Sequence, residues 1–285
     1  MRASLETLVI AAYVFAGSLS IPRPGPVGKV TDQELIAQAV AQAATGLASD
    51  RQLLGTIGRL LPGFFPDLPE QSQFNRRLRR LTPQITTVQL GVAELLASGS
   101  LRLVDGSLLC CANYAGCASK SEFAGYAAYG YCAAKSRWYW GLRLLSDSRG
   151  APLGDDLRPA SENEREGVFR LACAHAGGVL FADAGHRGQE HHASLRLLGV
   201  KLIVPERHRL GERPVAEIVK ARIRLVIESV FANLKRQMRL EDHLAKTLPG
   251  LAQRVVQRLL ALTLGMFINT LLGRPPRALA AYDGR

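Results

Sequence analysis

At Leu101 the spacing of apolar residues changes, and any fold for this chain must have different architecture on the two sides of that point. Before it, apolar residues recur at helical intervals; from it, LRLVDGSLLCCA is a short β-like run with an aspartate inside. The first part opens with an apolar helix over Leu8 to Ile21, and Pro22 to Gly28 (IPRPGPVG) reads as a linker. Thr31 with Glu34 three residues on is a capping-box pattern, predicting one or two helices over residues 31 to 61. Three prolines in LPGFFPDLPEQ break the pattern, and SQFNRRLRRL then sets Arg76, Arg77, Arg79 and Arg80 around Leu78 and Leu81 on a short helix. A further helix runs from Ile85 to near Gly99. The first hundred residues are therefore mainly helical and locally very basic.

Beyond Leu101, SRWYWGLRLLSD is aromatic and partly alternating and ends in the turn-like DSRGAPLG, which fits an antiparallel hairpin. Trp138, Tyr139 and Trp140 are consecutive, so Tyr139 should face away from both tryptophans, with one of the two faces in the core. Ser161 to Ala174 reads as a helix, and GGVLFADAG as a buried strand that stops at Asp183. A helix around His191 to Leu198, the strand VKLIVPE and helices over Val215 to Met238 and Leu251 to Leu272 complete the chain. Three antiparallel strands followed by helix, strand, helix, strand, helix is the order of a ribonuclease-H-like α/β fold, a mixed sheet flanked by helices. The expected division is a helical, basic region over 1–100 and a catalytic domain over 101–285.

Charge narrows the partner. Against 36 Lys+Arg stand 24 Asp+Glu, a formal net charge of +12 with a pI near 9.9. Such an excess attracts polyanions because neutralised phosphates release condensed counterions, so nucleic acid comes first and an anionic membrane surface second. The five cysteines (Cys110, Cys111, Cys117, Cys132 and Cys173) neither make an even disulfide set nor repeat a paired zinc spacing. They read as reduced, mostly core thiols of a cytosolic protein. Leu8 to Ile21 looks like a signal-peptide core but carries Tyr13 and lacks a dense basic flank. Leu259 to Leu272 is shorter than the roughly 20 apolar residues a bilayer demands. Both are expected to be packed helices, with no membrane involved.

The acids carry the chemistry. Asp105 and Asp183 each close an apolar strand, so in one sheet their carboxylates can converge. Glu228 lies in RLVIESVFANLK, with Arg224 at i−4, Phe231 at i+3 and Lys235 at i+7 on one helical face. Hard divalent cations take oxygen ligands, and two of them roughly 4 Å apart can activate the attacking oxygen and stabilise the leaving one in phosphoryl transfer. His191 and His192 beside Glu190 read as a surface pair on a helix, and His186 as a structural residue. Glu162, Glu164 and Glu166 suit the positive end of a helix dipole.

The blocks LRLVDGSLL, YGYCAAKSRWYWGLRL, FADAGHRG and RLVIESVFANLKRQMRLEDH resemble the DDE transposases of bacterial insertion sequences. Arg224-x3-Glu228-x6-Lys235 is similar to the arginine–glutamate–lysine signature of that family, and DAGHRG to its second-aspartate motif. The resemblance covers nearly the whole chain, with strong motifs only from residue 101 onward. It implies that Asp105, Asp183 and Glu228 hold two Mg2+ (or Mn2+) ions. It also implies that Arg224 and Lys235 contact phosphate, and that His186 and Arg187 help to orient DNA. Arg76, Arg77, Arg79 and Arg80 would supply backbone contacts to double-stranded DNA, at the terminal inverted repeats and the target. The implied reaction is cleavage at the element's ends and transfer of the 3′-hydroxyl strand to target DNA, by a homodimer or larger assembly in the bacterial cytoplasm at the nucleoid. One departure stands out: many relatives have tyrosine three residues before the signature arginine, where this chain has Ala221. The alternatives are a decayed copy that binds DNA without cutting it, and a ribonuclease-H-like nuclease without strand transfer.

Overall fold

The computed structural model describes residues 2–18, 28–97, 99–112, 118–132, 136–148, 150–205 and 215–284. The expected linker falls outside them except for Gly28, as do Cys117 and the side chains of Cys132 and Ala221. Contacts divide the chain into two compact units, one of Met1–Leu95 with Ala232–Arg285 and one of Leu96–Phe231.

The first unit is helical: α1 (Leu5–Gly17), α2 (Asp32–Thr45), α3 (Asp50–Leu60), α4 (Gln71–Arg80), α5 (Thr82–Leu96) and, after α8 (Val215–Lys235), α9 (Leu248–Leu271). The capping box at Thr31 and Glu34 is present, and a second one closes the start of α3 at Ser49 and Gln52. Every residue of α2 from Leu35 to Ala44 is buried, Gln38 and Gln42 included, as in a helix surrounded by others. It packs against α1, α4 and α9. Residues 232–285, which the sequence grouped with the sheet, therefore pack with the N-terminal helices. The helix expected over Leu251–Leu272 runs over Leu248–Leu271, long and apolar enough to cross a membrane by length and composition, yet most of it is buried inside the protein.

The second unit is built on a six-stranded sheet: β1 (Leu101–Ala112), β2 (Ala128–Cys132), β3 (Arg137–Ser148), β4 (Pro152–Pro159), β5 (Gly178–Phe181) and β6 (Val200–Ile203). The order is β2-β3-β1-β5-β6, with β4 also paired to β3. Pairing is antiparallel among β1 to β4 and parallel from β1 to β5 and from β5 to β6. Helices α6 (Glu164–Ala174) and α7 (Gln189–Leu197) form the crossovers, and Val168, Leu171, Ala172 and Leu195 pack on Val104, Leu180, Ala182, Val200 and Leu202. This is the expected ribonuclease-H-like α/β arrangement, with a mainly helical region preceding it.

Several local expectations differ. Where the sequence reading had only the turn-like DSRGAPLG, a further strand, β4, pairs antiparallel with β3. Tyr139 and Trp140 are both buried, so both faces are covered there, and only Trp138, at the open end of the β2–β3 pair against Tyr131, is 70% exposed. Cys110 and Cys111 are half-buried and Cys173 is exposed, so the described cysteines are not core thiols, and none is in a disulfide.

Candidate active site

The register between β1 and β5 brings the two aspartates together. Leu101 pairs with Val179 and Leu103 with Phe181, an offset of 78 residues that is also the separation of Asp105 from Asp183. The aspartates thus hold equivalent places two residues beyond the last paired rung. Asp105 is not at a strand end, as the sequence suggested, because β1 continues to Ala112 along β3. It stands where β5 leaves the sheet. Val104 enters the core beneath α6 and α7, so strand alternation turns Asp105 the other way.

Burial dominates the electrostatics of Asp105 and pushes its carboxyl up to about 6 from 3.8. The Gly106 N–H, 2.8 Å from Oδ1, and the Arg224 charge oppose that rise, while Asp183 and Glu164 add to it. Asp183 follows β5 directly and caps a short 3-10 helix (Ala184–His186), its Oδ1 accepting the Gly185 N–H at 2.9 Å. Glu164 is the first residue of α6, after the cap residue Asn163, and Arg143 of β3 pairs with it at 3.0 Å.

His186 completes the group. Its ring is buried, and its Nε2 lies 3.6 Å from Asp183 Oδ1 and 3.8 Å from Glu164 Oε2. Burial pulls its pKa below the usual imidazole value, although both carboxylates oppose this. Glu164, Asp183 and His186 each offer a ligand atom within 4.8 Å of the others. Neutral imidazole with carboxylate oxygens is a donor set suited to a divalent cation, and the desolvated Asp105 carboxyl beside it is a charge that a cation would compensate.

The third expected acid, Glu228 on α8, pairs with Arg224 one turn earlier, Nε to Oε1 2.8 Å, and Arg224 also acts on the Asp105 carboxyl. Lys235 belongs to the helical unit, where it pairs with Glu241 at 3.7 Å. Arg187 donates to the Pro205 carbonyl just after β6. On α4, Arg76, Arg79 and Arg80 are exposed, whereas Arg77 is half-buried and bound to Asp32 and to the Val30 carbonyl.

Two residues escaped the sequence reading. Glu164 was assigned only to the helix dipole; its position just after the antiparallel strands was the available signal. His191 is not on the surface as expected but buried, its ring 5.8 Å from that of His186. Its position at the third residue of α7, facing inward, was hidden because the helix begins earlier, at Gln189.

A family model described as the transposase DDE domain matches residues 97–264. The chain belongs to this family. The matched span contains Asp105, Glu164, Asp183 and Glu228. No curated protein matches the chain. Family membership and the Glu164–Asp183–His186 group together support a metal-binding catalytic domain of the nuclease and transposase kind.

Proposed function

We propose that the protein is a DNA transposase that cleaves the ends of an insertion sequence and joins the freed 3′-hydroxyl to target DNA, with Asp105, Asp183 and Glu228 as its catalytic acids. The observation that carries this reading is the register of β1 and β5, which sets Asp105 and Asp183 side by side in a chain of the transposase DDE domain family. Bound divalent ions supply the activated oxygen nucleophile and the compensation of charge on the leaving oxygen. Asp105 and Asp183 bind and fix those ions. Glu228 completes the ligand set once Arg224 turns from it to a phosphate; their present pairing keeps carboxylate and guanidinium adjacent. Arg guanidinium is well matched to phosphate through paired N–H donors. The exposed Arg76, Arg79 and Arg80 and the net charge of +12 support backbone contacts to double-stranded DNA, with Lys235 added near the ends, in a homodimer or larger assembly.

The test is Mg2+-dependent cleavage and joining of labelled DNA carrying the element's own ends, in wild type, Asp183→Ala and Glu228→Ala. Both products should form in wild type and vanish in each variant while DNA binding persists. Cleavage that survives both substitutions would place the active site elsewhere. Binding without cleavage in wild type would identify a decayed copy, and cleavage without joined product a plain nuclease.

A further inference from the structure

We infer that Glu164, Asp183 and His186 form a divalent-cation site that fills without Glu228 and favours Mn2+ over Mg2+. The inference deepens the reading above and rests on it only for the site being a metal centre. Its basis is the spacing of three side chains and the burial of one of them, His186. The two gaps from His186 Nε2 to the carboxylate oxygens, 3.6 and 3.8 Å, are too long for hydrogen bonds. They suit a shared ion, since ligands at roughly 2.1 Å from a metal stand about 3.0 to 4.2 Å apart across coordination angles from 90° upward.

A cluster of acids alone would carry no such conclusion. Here an imidazole with its side chain only 4% exposed is turned into the acid pair, and its buried Nδ1 has no hydrogen-bond partner. A buried ring nitrogen without a hydrogen bond is costly, and coordination would give Nε2, the nitrogen that faces the acids, a partner while leaving Nδ1 as it is. The three backbone positions are also fixed without α8. Glu164 begins α6, while Asp183 and His186 sit on the turn that ends β5, and Arg143 steadies Glu164. Glu228 is occupied by Arg224. A nitrogen ligand among oxygens favours Mn2+, whereas Mg2+ prefers an all-oxygen shell.

The full-length protein is titrated with Mn2+ in the absence of DNA, the free ion followed by its electron paramagnetic resonance signal. Variants are Glu164→Gln, His186→Gln and Glu228→Gln, each checked for native circular dichroism. Wild type should take up Mn2+, and Glu164→Gln and His186→Gln should each weaken uptake by about tenfold or more, since even outer-shell losses cost that much. Glu228→Gln should bind the first ion as wild type does, and the preference over competing Mg2+ should shrink in His186→Gln. No uptake by wild type, uptake indifferent to Glu164→Gln, or loss of the first ion in Glu228→Gln would each overturn the inference. Should His186→Gln fail to fold, the half-exposed and isosteric Glu164→Gln decides the matter. Mn2+ uptake with this dependence but no DNA cleavage would leave the site standing and remove the transposase reading. Cleavage with uptake indifferent to Glu164 and His186 would do the reverse.

Discussion

Asp105 is held in the native protein at an energetic cost that a bound cation would relieve. Burial raises its pKa from 3.8 to about 6, so the folded state binds this proton more tightly than the unfolded chain does. The resulting stabilisation is complete below about pH 4 and is lost as pH rises through about 6. In metal-free buffer at pH 7.5, Asp105→Asn should therefore melt above wild type, by an amount on the order of 1 kcal/mol. The gap should close near pH 4, and added Mn2+ should stabilise wild type more than the variant, because in wild type it also offsets the buried Asp105 charge. A less stable Asn variant at pH 7.5 would contradict this account. His191 runs the opposite way: burial, with His186 and Arg165 adding to it, lowers its pKa to about 4. Its contribution is present above about pH 6.5 and lost as pH falls through about 4. His191→Leu should lessen acid destabilisation between those values, read as melting temperature against pH, because the buried Nε2 has no hydrogen-bond partner to lose. Of these residues the sequence announced Asp105 and Asp183 through their strand context. Glu164, His186 and His191 depend on how α6 and the β5 turn approach one another, which no local spacing records.

Among the elements, the paired edges of β3 explain both what could be read from the sequence and what could not. β4 (PLGDDLRP) carries two acids and two prolines, so its local preference is for a turn; it becomes a strand because the long β3 offers it seven rungs from Leu142 to Ser148. Tertiary pairing overrode propensity there. β3 also lies close against β1 at Gly141, opposite the irregularity between Cys110 and Ala112. A Cβ at Gly141 would meet the Leu109 carbonyl oxygen at 2.3 Å and the Cys111 nitrogen at 3.1 Å, and backbone cannot swing aside as a side chain can. Gly141→Ala should cost roughly 1–3 kcal/mol in denaturant unfolding, the range of overpacked sites. A second element-level contact lies in the helical unit, where Arg254 of α9 pairs with Asp50 of α3 at 2.6 Å, both nearly fully buried. Gln42 and Asn75 also donate to Asp50, and the Gln42 carbonyl accepts from Arg254 and Gln257. Asp50→Ala would strand a buried guanidinium and should cost about 3–5 kcal/mol, while Asp50→Ala combined with Arg254→Met should recover a large part of it. Additive losses in the double variant would mean that the pair is not the source of the effect.

For the molecule as a whole, most element positions were legible because hydrophobic period, capping boxes and proline breaks are local signals. The grouping of elements was not: α9 follows the catalytic motifs in sequence but packs on α1, α2 and α4, and only the burial of both partners reveals it. The same holds for charge, where an excess of cations is visible in the sequence but the division into engaged and exposed groups is not. Arg77, Arg158, Arg187 and Arg254 are bound to acids or carbonyls, whereas Arg76, Arg79 and Arg80 are exposed. If the net charge of +12 serves DNA binding, affinity should fall linearly in log–log form with salt, by about 0.9 per phosphate neutralised. Replacing Arg76, Arg79 and Arg80 together by glutamine should reduce that slope by up to about 3 on duplexes of any sequence, because backbone contacts carry no base readout. Arg77→Gln should instead lower thermal stability through loss of the Asp32 pair, with little change in slope. Fluorescence anisotropy of a labelled duplex at several salt concentrations separates the two effects. An unchanged slope in the triple variant would move the DNA-contacting surface away from α4.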